Sequence, residues 1–180
     1  MPNKWEVERQ ADLDWSVDPA PLPFSTFSKA RKTAKMSDLT IRLAQLPGDF
    51  PQIYQVRQQV FQVEQGVDAA LEFDGLDQQA EHLLAIQRGQ AIGTARMRYL
   101  NPQVVKLERV AVLAAARGQG IGKQLMERAL AILNERQVRE VRIHAQTAVE
   151  AFYAKLGFEP EGEIFEEAGI PHVKMSKHLK

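Results

Sequence analysis

The residues Arg117, Gly118, Gln119, Gly120, Ile121, Gly122 and Lys123 form the segment of this chain most clearly able to do chemistry. Glycines at alternate positions let a chain turn tightly and let its backbone amides approach a ligand. A helix starting at the same point adds partial positive charge. The segment therefore reads as a phosphate cradle. Charge-assisted hydrogen bonds are worth about 1.5–3 kcal/mol each, so a few amides with Arg117 suffice to hold a diphosphate. A Walker A loop would need glycine in place of Arg117 and Ser or Thr in place of Gln124. A dinucleotide fingerprint would need glycine in place of Lys123, and it belongs in the first strand-to-helix turn of its unit.

Other residue types suited to proton transfer lie on either side. Glu108 stands two residues before Val110, so strand alternation predicts that it shares a face with Val110 and Val112. His144 and His172 carry imidazoles, which titrate near neutral pH. Glu166 and Glu167 beside His172 are metal-ligating types, but their spacing fits no strong ligand motif, and no metal is expected.

These groups need elements to position them. Leu39, Ile41 and Leu43 alternate as in a strand with one buried face. Asp49 and Pro51 mark a helix start, and Ile53, Val56, Val60 and Val63 follow at three- and four-residue steps as its buried stripe. The stretch Leu71 to Gln79 reads as loop. His82 to Gln87, Ala91 to Leu100 and Val104 to Leu113 are strands joined by short hairpins at Arg88-Gly89 and Asn101-Pro102. Ile121, Leu125, Ala129, Ile132 and Leu133 share one helical face, and Val141, Ile143 and Ala145 alternate with Arg142 and His144 in the next strand. Thr147 and Glu150 have capping-box spacing for a further helix that Gly157 ends, and two strands follow around Gly169 to Pro171. The order is strand, helix, three strands, helix, strand, helix, two strands.

Composition narrows the class. A chain of 180 residues can bury one sizeable core. Its 23 basic and 23 acidic residues balance, so no overall field draws it to nucleic acid or an anionic membrane, and neither is an expected partner. With no cysteine there is no disulfide, thiolate catalysis or cysteine-bound zinc. No apolar run reaches the roughly 20 residues of a membrane span, and a cytoplasmic protein is the expectation. Residues 1–37 lack sustained periodicity, with isolated Trp5 and Trp15 and a run from Pro19 to Pro23. They read as a flexible extension, with Met36 a second candidate start, which leaves 38–180 as the domain.

The spacing from Arg117 through Gly120 to Gly122 resembles the pyrophosphate loop of the GNAT N-acetyltransferase superfamily. The segment Ala151, Phe152, Tyr153, Lys155, Leu156, Gly157, Phe158 is similar to its second signature, at the expected distance. Four further groups are similar to the bacterial ElaA/YjcF-like branch: Val60 with Glu64 to Gly66, Glu72 with Asp74 and Asp77, His144 with Gln146, and Phe165 with Glu167 to His172. The resemblance spans about residues 39–177.

It implies an α/β fold with a central mixed, mostly antiparallel sheet of about seven strands flanked by helices, in which two parallel strands splay at the acyl-coenzyme A site. Acetyl-coenzyme A would be the co-substrate, held by Val110, Ala111, Val112, Arg117, Gly118, Gln119, Gly120, Ile121, Gly122, Lys123 and Phe152. Tyr153 matches the tyrosine that protonates the leaving sulfur, and Glu108 the position where many relatives keep a glutamate base. Arg57, Phe61, Glu64, Gln65, Asp74 and Asp77 fall where the superfamily builds its acceptor pocket, with His144 and His172 as further lining candidates. Their carboxylates would favour a cationic acceptor. The reaction implied is acetyl transfer to the primary amine of a small molecule; a non-catalytic acyl-coenzyme A sensor and an enzyme acting on protein amines would share the same loop. Dimers are common in the superfamily.

Overall fold

The computed structural model describes residues 38–180, so the extension expected over residues 1–37 lies outside the described residues. Seven strands form one sheet in the order β1-β2-β3-β4-β5-β7-β6. In chain order these are β1 (Leu39–Leu43), β2 (Glu81–Gln87), β3 (Gln90–Asn101), β4 (Val104–Val112), β5 (Glu140–Gln146), β6 (Glu159–Glu167) and β7 (Ile170–His178). The helices are α1 (Phe50–Arg57), α2 (Ala69–Glu72), α3 (Ile121–Glu135) and α4 (Glu150–Ala154). Every neighbouring pair of strands is antiparallel except β4 and β5, which run parallel.

The two faces of the sheet carry different chemistry. On one, α3 lays Leu125, Met126, Ala129 and Leu133 against Leu83, Ala95, Met97, Leu107, Val141 and Ile143 in a single apolar cluster. Leu125, Met126 and Leu133 are completely buried, and each such side chain contributes about 1.5–3 kcal/mol of transfer free energy. On the other face, Val56 and Val60 pack on Ala111.

That second face also holds charge. Arg57 of α1 and Arg96 of β3 are both fully buried. Arg57 pairs with Glu72 and Asp77, each at 2.5 Å. Arg96 pairs with Asp77 at 3.0 Å, Asp74 at 2.7 Å and Glu108 at 3.0 Å. Because a buried charge without a partner is costly, these contacts tie α1, α2 and the strands into one arrangement.

Three local expectations change. A π-helical segment, Gln58–Glu64, continues α1, and its wider turn carries Val63 away from the stripe of Ile53, Val56 and Val60, leaving it exposed. The stretch expected as loop begins with the last two residues of α2 and ends in a 3₁₀ turn over Asp77–Gln79. The capping box does not form, because Thr147–Val149 is a 3₁₀ turn in which the Glu150 amide donates to the Thr147 carbonyl instead. Gly157 does end α4, with φ of 83°.

Candidate active site

The parallel pair sets the site. β4 and β5 are joined only where Val104, Val105 and Lys106 meet Glu140, Val141 and Arg142. Beyond Lys106 the strands part, as the resemblance implies, and the ends of both line a cavity of about 520 Å³. Val110, Ala111 and Val112 form one wall, with His144 and Gln146 from β5 opposite and Phe152 and Tyr153 from α4.

A second cavity of about 530 Å³ is lined by Gly118, Gly120, Ile121, Gly122, Lys123, Lys155 and Leu156. Val112, Arg117 and Phe152 line both. Gly118 and Gly120 have φ of 76°, a left-handed conformation that glycine adopts freely. Gly120 caps α3 without any side-chain hydrogen bond. The amide of Gln124 donates to the Gly120 carbonyl, so the amides of Ile121, Gly122 and Lys123 stand in the helix's first turn, ahead of that bond. A Cβ on Gly122 would stand 3.8 Å from the Phe152 ring and 3.9 Å from Val112. The fold itself therefore leaves room for a side chain there. These features fit a ligand carrying a diphosphate. Gln119 is exposed and its side chain turns back to the Ala115 carbonyl, so of the expected loop residues it alone lines neither cavity.

Arg117 is already engaged. Its Nε donates to the Val112 carbonyl at 2.9 Å and its guanidinium pairs with Glu64 at 2.5 Å. Glu64 is thus placed as a partner of Arg117 and does not line the cavity.

Tyr153 packs edge-on against Phe152 and Phe158. No side chain among the described residues hydrogen-bonds its hydroxyl, and burial pushes its pKa up to about 12. It is a protonated phenol at every ordinary pH.

Glu108 lines the same cavity, but on a different face from the one expected. Arg109 adopts φ of 54°, and the register with β3 shifts between Thr94 and Arg96. This bulge inverts the alternation: Val110 and Val112 pack on the α3 side, whereas Glu108 joins Arg96 on the α1 side. Its carboxylate also contacts Arg98 at 2.8 Å and Lys106 at 3.2 Å. Burial pushes its pKa up, but the hydrogen bond from Arg98 and the charges of Arg96 and Lys106 outweigh it and hold it below the usual range. So engaged, it is a weak proton acceptor.

Arg57 is also corrected. Its burial beneath the π segment, with Glu72 and Asp77 as partners, removes it from any acceptor. Asp74 and Asp77 are spent on Arg96 in the same network. Burial raises the Asp74 pKa, yet its hydrogen bond with Arg96 and the nearby charges leave it well below the usual range. Phe61 and Gln65 do line the cavity, and Gln146 donates to Gln65 at 2.9 Å, bridging the π segment and β5.

Both histidines reach the cavity. The ring nitrogen Nδ1 of His172 lies 2.7 Å from the Ile170 carbonyl. That of His144 lies 2.6 Å from Glu167 Oε2, and the hydrogen bond holds Glu167 down to about 2 against the opposing effect of burial. Glu167, Lys106 and Arg109 line the site without having been expected there. For Glu167 the pointers in the chain are its place beside His172 in the group shared with the branch and the hairpin turn before Pro171, whose tip carries it. Among the described residues no cluster of three or more His, Asp or Glu side chains is arranged to hold a metal, and no helix is long and apolar enough to cross a membrane.

A glycine-rich helix start thus stands beside a parted parallel strand pair, the fold that the resemblance implied. The family described as acetyltransferase (GNAT) domain matches residues 47–179, and the chain belongs to that family. An uncharacterized N-acetyltransferase YjcF of Bacillus subtilis is 34% identical over 125 residues, covering 69% of this chain and 89% of the relative. The crystal structure of an acyl-CoA N-acyltransferase from Pseudomonas aeruginosa is similar at 34% identity and TM-score 0.69, covering 78% of this chain and 98% of the other. That of Escherichia coli ElaA is similar at 28% identity and TM-score 0.69, covering 77% and 99%. These similarities agree with the ElaA/YjcF-like branch, and the protein is an acyltransferase of the GNAT family.

Proposed function

We propose that the protein transfers the acetyl group of acetyl-coenzyme A to the primary amine of a small molecule, by direct attack within a ternary complex. The observation that carries this reading is the opening of β4 from β5 after Lys106, beside the first turn of α3 and with Tyr153 in its wall. The amides of Ile121, Gly122 and Lys123 would receive the diphosphate, and the unpaired edge of Val110 to Val112 the pantetheine arm. Backbone groups near Val112 would polarise the thioester carbonyl. Tyr153 would protonate the departing sulfur.

The acceptor side supports a small molecule. The Gln65–Gln146 bridge and the walls of Val60, Phe61 and Val67 bound a cavity, where a protein substrate would need an open groove. The expected preference for a cationic acceptor has no free anion behind it, since Glu72, Glu108 and Glu167 are each paired. Among the described residues of the cavity no carboxylate is thus left to hold the ammonium form, and the amine must give up a proton before it attacks. An alkyl amine with pKa of about 10.4 is neutral in only about one molecule per thousand near neutral pH, so a base must collect its proton.

The test is release of free thiol from acetyl-coenzyme A against a panel of primary amines. Acceptor-dependent release with formation of the amide is expected. Binding of acetyl-coenzyme A without such release would instead make the protein a sensor.

A further inference from the structure

We infer that His144 and Glu167 form the proton-accepting pair of this site, with His144 taking the proton of the acceptor amine and Glu167 positioning the ring; this rests on the acyl-transfer reading above. His144 alternates with the buried Ile143 and Ala145, so it projects from the opposite face of β5 into the cavity that Tyr153 also lines. Glu167 reaches it from the tip of the β6–β7 hairpin, at 2.6 Å from Nδ1. A carboxylate only accepts, so Nδ1 must carry the hydrogen. In the neutral ring that leaves Nε2 as the basic atom, and no partner among the described residues occupies it. The Phe165 ring meets the imidazole edge-on at 4.9 Å and fixes its plane.

The surroundings distinguish His144 from the alternatives. The charged and titratable groups around it are Lys106 and Glu108 from β4, Glu167 from β6, His172 and Lys174 from β7, and Tyr153 from α4 in the same cavity; just past the π segment the uncharged Gln65 approaches through Gln146, while Glu64 is paired with Arg117. Lys106 Nζ lies 3.3 Å from Nδ1 but also 3.2 Å from Glu108. With Nδ1 donating to Glu167, Lys106 supplies charge and no hydrogen bond. His172 has a backbone carbonyl behind it where His144 has a carboxylate, and only the carboxylate compensates the charge of an imidazolium.

The proton balance closes. The ammonium form of the acceptor gives one proton to His144 Nε2, and the neutral nitrogen attacks the thioester carbon, forming the C–N bond as the C–S bond breaks. The second proton passes from nitrogen to sulfur by way of Tyr153. The products are the amide, the thiol and one proton that His144 releases to solvent.

The experiment measures kcat/KM for thiol release with an alkyl amine across pH, for the wild type, His144→Ala and Glu167→Gln. His144→Ala should lose about 100-fold near neutral pH. That deficit should close as pH nears the amine's own pKa of about 10.4, where no base is needed. Glu167→Gln keeps an accepting oxygen but not the charge, and should lose less, with the same convergence. An equal loss at every pH would mark a structural role and overturn the assignment, as would an unaffected His144→Ala. Nitrogen NMR on the resting protein should show His144 protonated at Nδ1, and a shift away from that tautomer in Glu167→Ala; an Nε2-protonated ring in the wild type overturns the pair without reference to activity. If the wild type releases no thiol with any amine, the acyl-transfer reading falls and takes this one with it, whereas an active wild type beside an unaffected His144→Ala removes this one alone.

Discussion

Arg57 and Arg96, neither exposed to solvent, donate to the same oxygen of Asp77, at 2.5 and 3.0 Å. Two like charges are held together by the carboxylates around them, with the Glu72 carbonyl and the Phe73 ring as further partners of Arg57. Replacing Asp77 with Asn removes the shared anion while keeping the shape, and should cost about 3–5 kcal/mol of unfolding free energy. Urea denaturation followed by circular dichroism checks this. The variant that does fold should keep its affinity for acetyl-coenzyme A, because the network lies apart from the α3 helix start.

Tyr153 has aromatic neighbours and, among the described residues, no hydrogen-bond partner for its hydroxyl, which is why burial alone drives its pKa up to about 12. A raised pKa keeps the hydroxyl protonated until pH rises through that value, so an alkaline limb from this group should be missing below about pH 11. Tyr153→Phe should lower kcat by about 100-fold or more, with acetyl-coenzyme A affinity nearly unchanged. Steady-state rates and calorimetry on the same variant separate the two effects. An unchanged kcat would remove it as the acid.

Much of this arrangement could be read from residue order, and the parts that could not have two causes, local backbone irregularity and pairing across the sheet. The hairpins of β2, β3 and β4 follow from alternation interrupted by Arg88-Gly89 and Asn101-Pro102, both local signals. The loop from Arg117 to Lys123 is also local, and its order within the chain fixed its place beside β4. Glu108 was misplaced because the bulge at Arg109 puts a non-glycine residue at positive φ, which no residue type announces. Val63 was misplaced because a π turn has the composition of an α turn. Arg57 and Asp77 lie 20 positions apart, and His144 and Glu167 lie 23 apart on strands separated by β7. Such pairings depend on the completed sheet.

Gly122 offers a test in which stability and binding move in opposite directions. An added Cβ would meet Phe152 and Val112 only at ordinary contact distance, and the position has no positive φ. Gly122→Ala should therefore stabilise the fold, by about 0.5–1 kcal/mol for glycine to alanine within a helix. The methyl group would stand among the first-turn amides, so affinity for acetyl-coenzyme A should fall by about tenfold, or 1.4 kcal/mol. Gly120→Ala differs, because its φ of 76° makes any side chain unfavourable, by about 1–2 kcal/mol. Thermal unfolding and calorimetry on both variants decide whether this turn is shaped for folding or for a ligand.

Arg117 must choose between two anions. In this structure it pairs with Glu64 at 2.5 Å, with both side chains partly exposed. A diphosphate at the α3 helix start would compete for the same guanidinium. Exposed ion pairs are worth about 0.2–1 kcal/mol, so breaking this one subtracts that much from binding. Glu64→Gln should return it, tightening acetyl-coenzyme A by up to about fivefold and making the affinity more sensitive to salt, as an additional unpaired cation requires. Arg117→Ala should weaken binding in the wild-type background and cancel the gain in the Glu64→Gln background. If calorimetry at two salt concentrations finds the same affinity with and without Glu64, the guanidinium stays on Val112 and Glu64 throughout, and the backbone amides of Ile121, Gly122 and Lys123 hold the diphosphate without it.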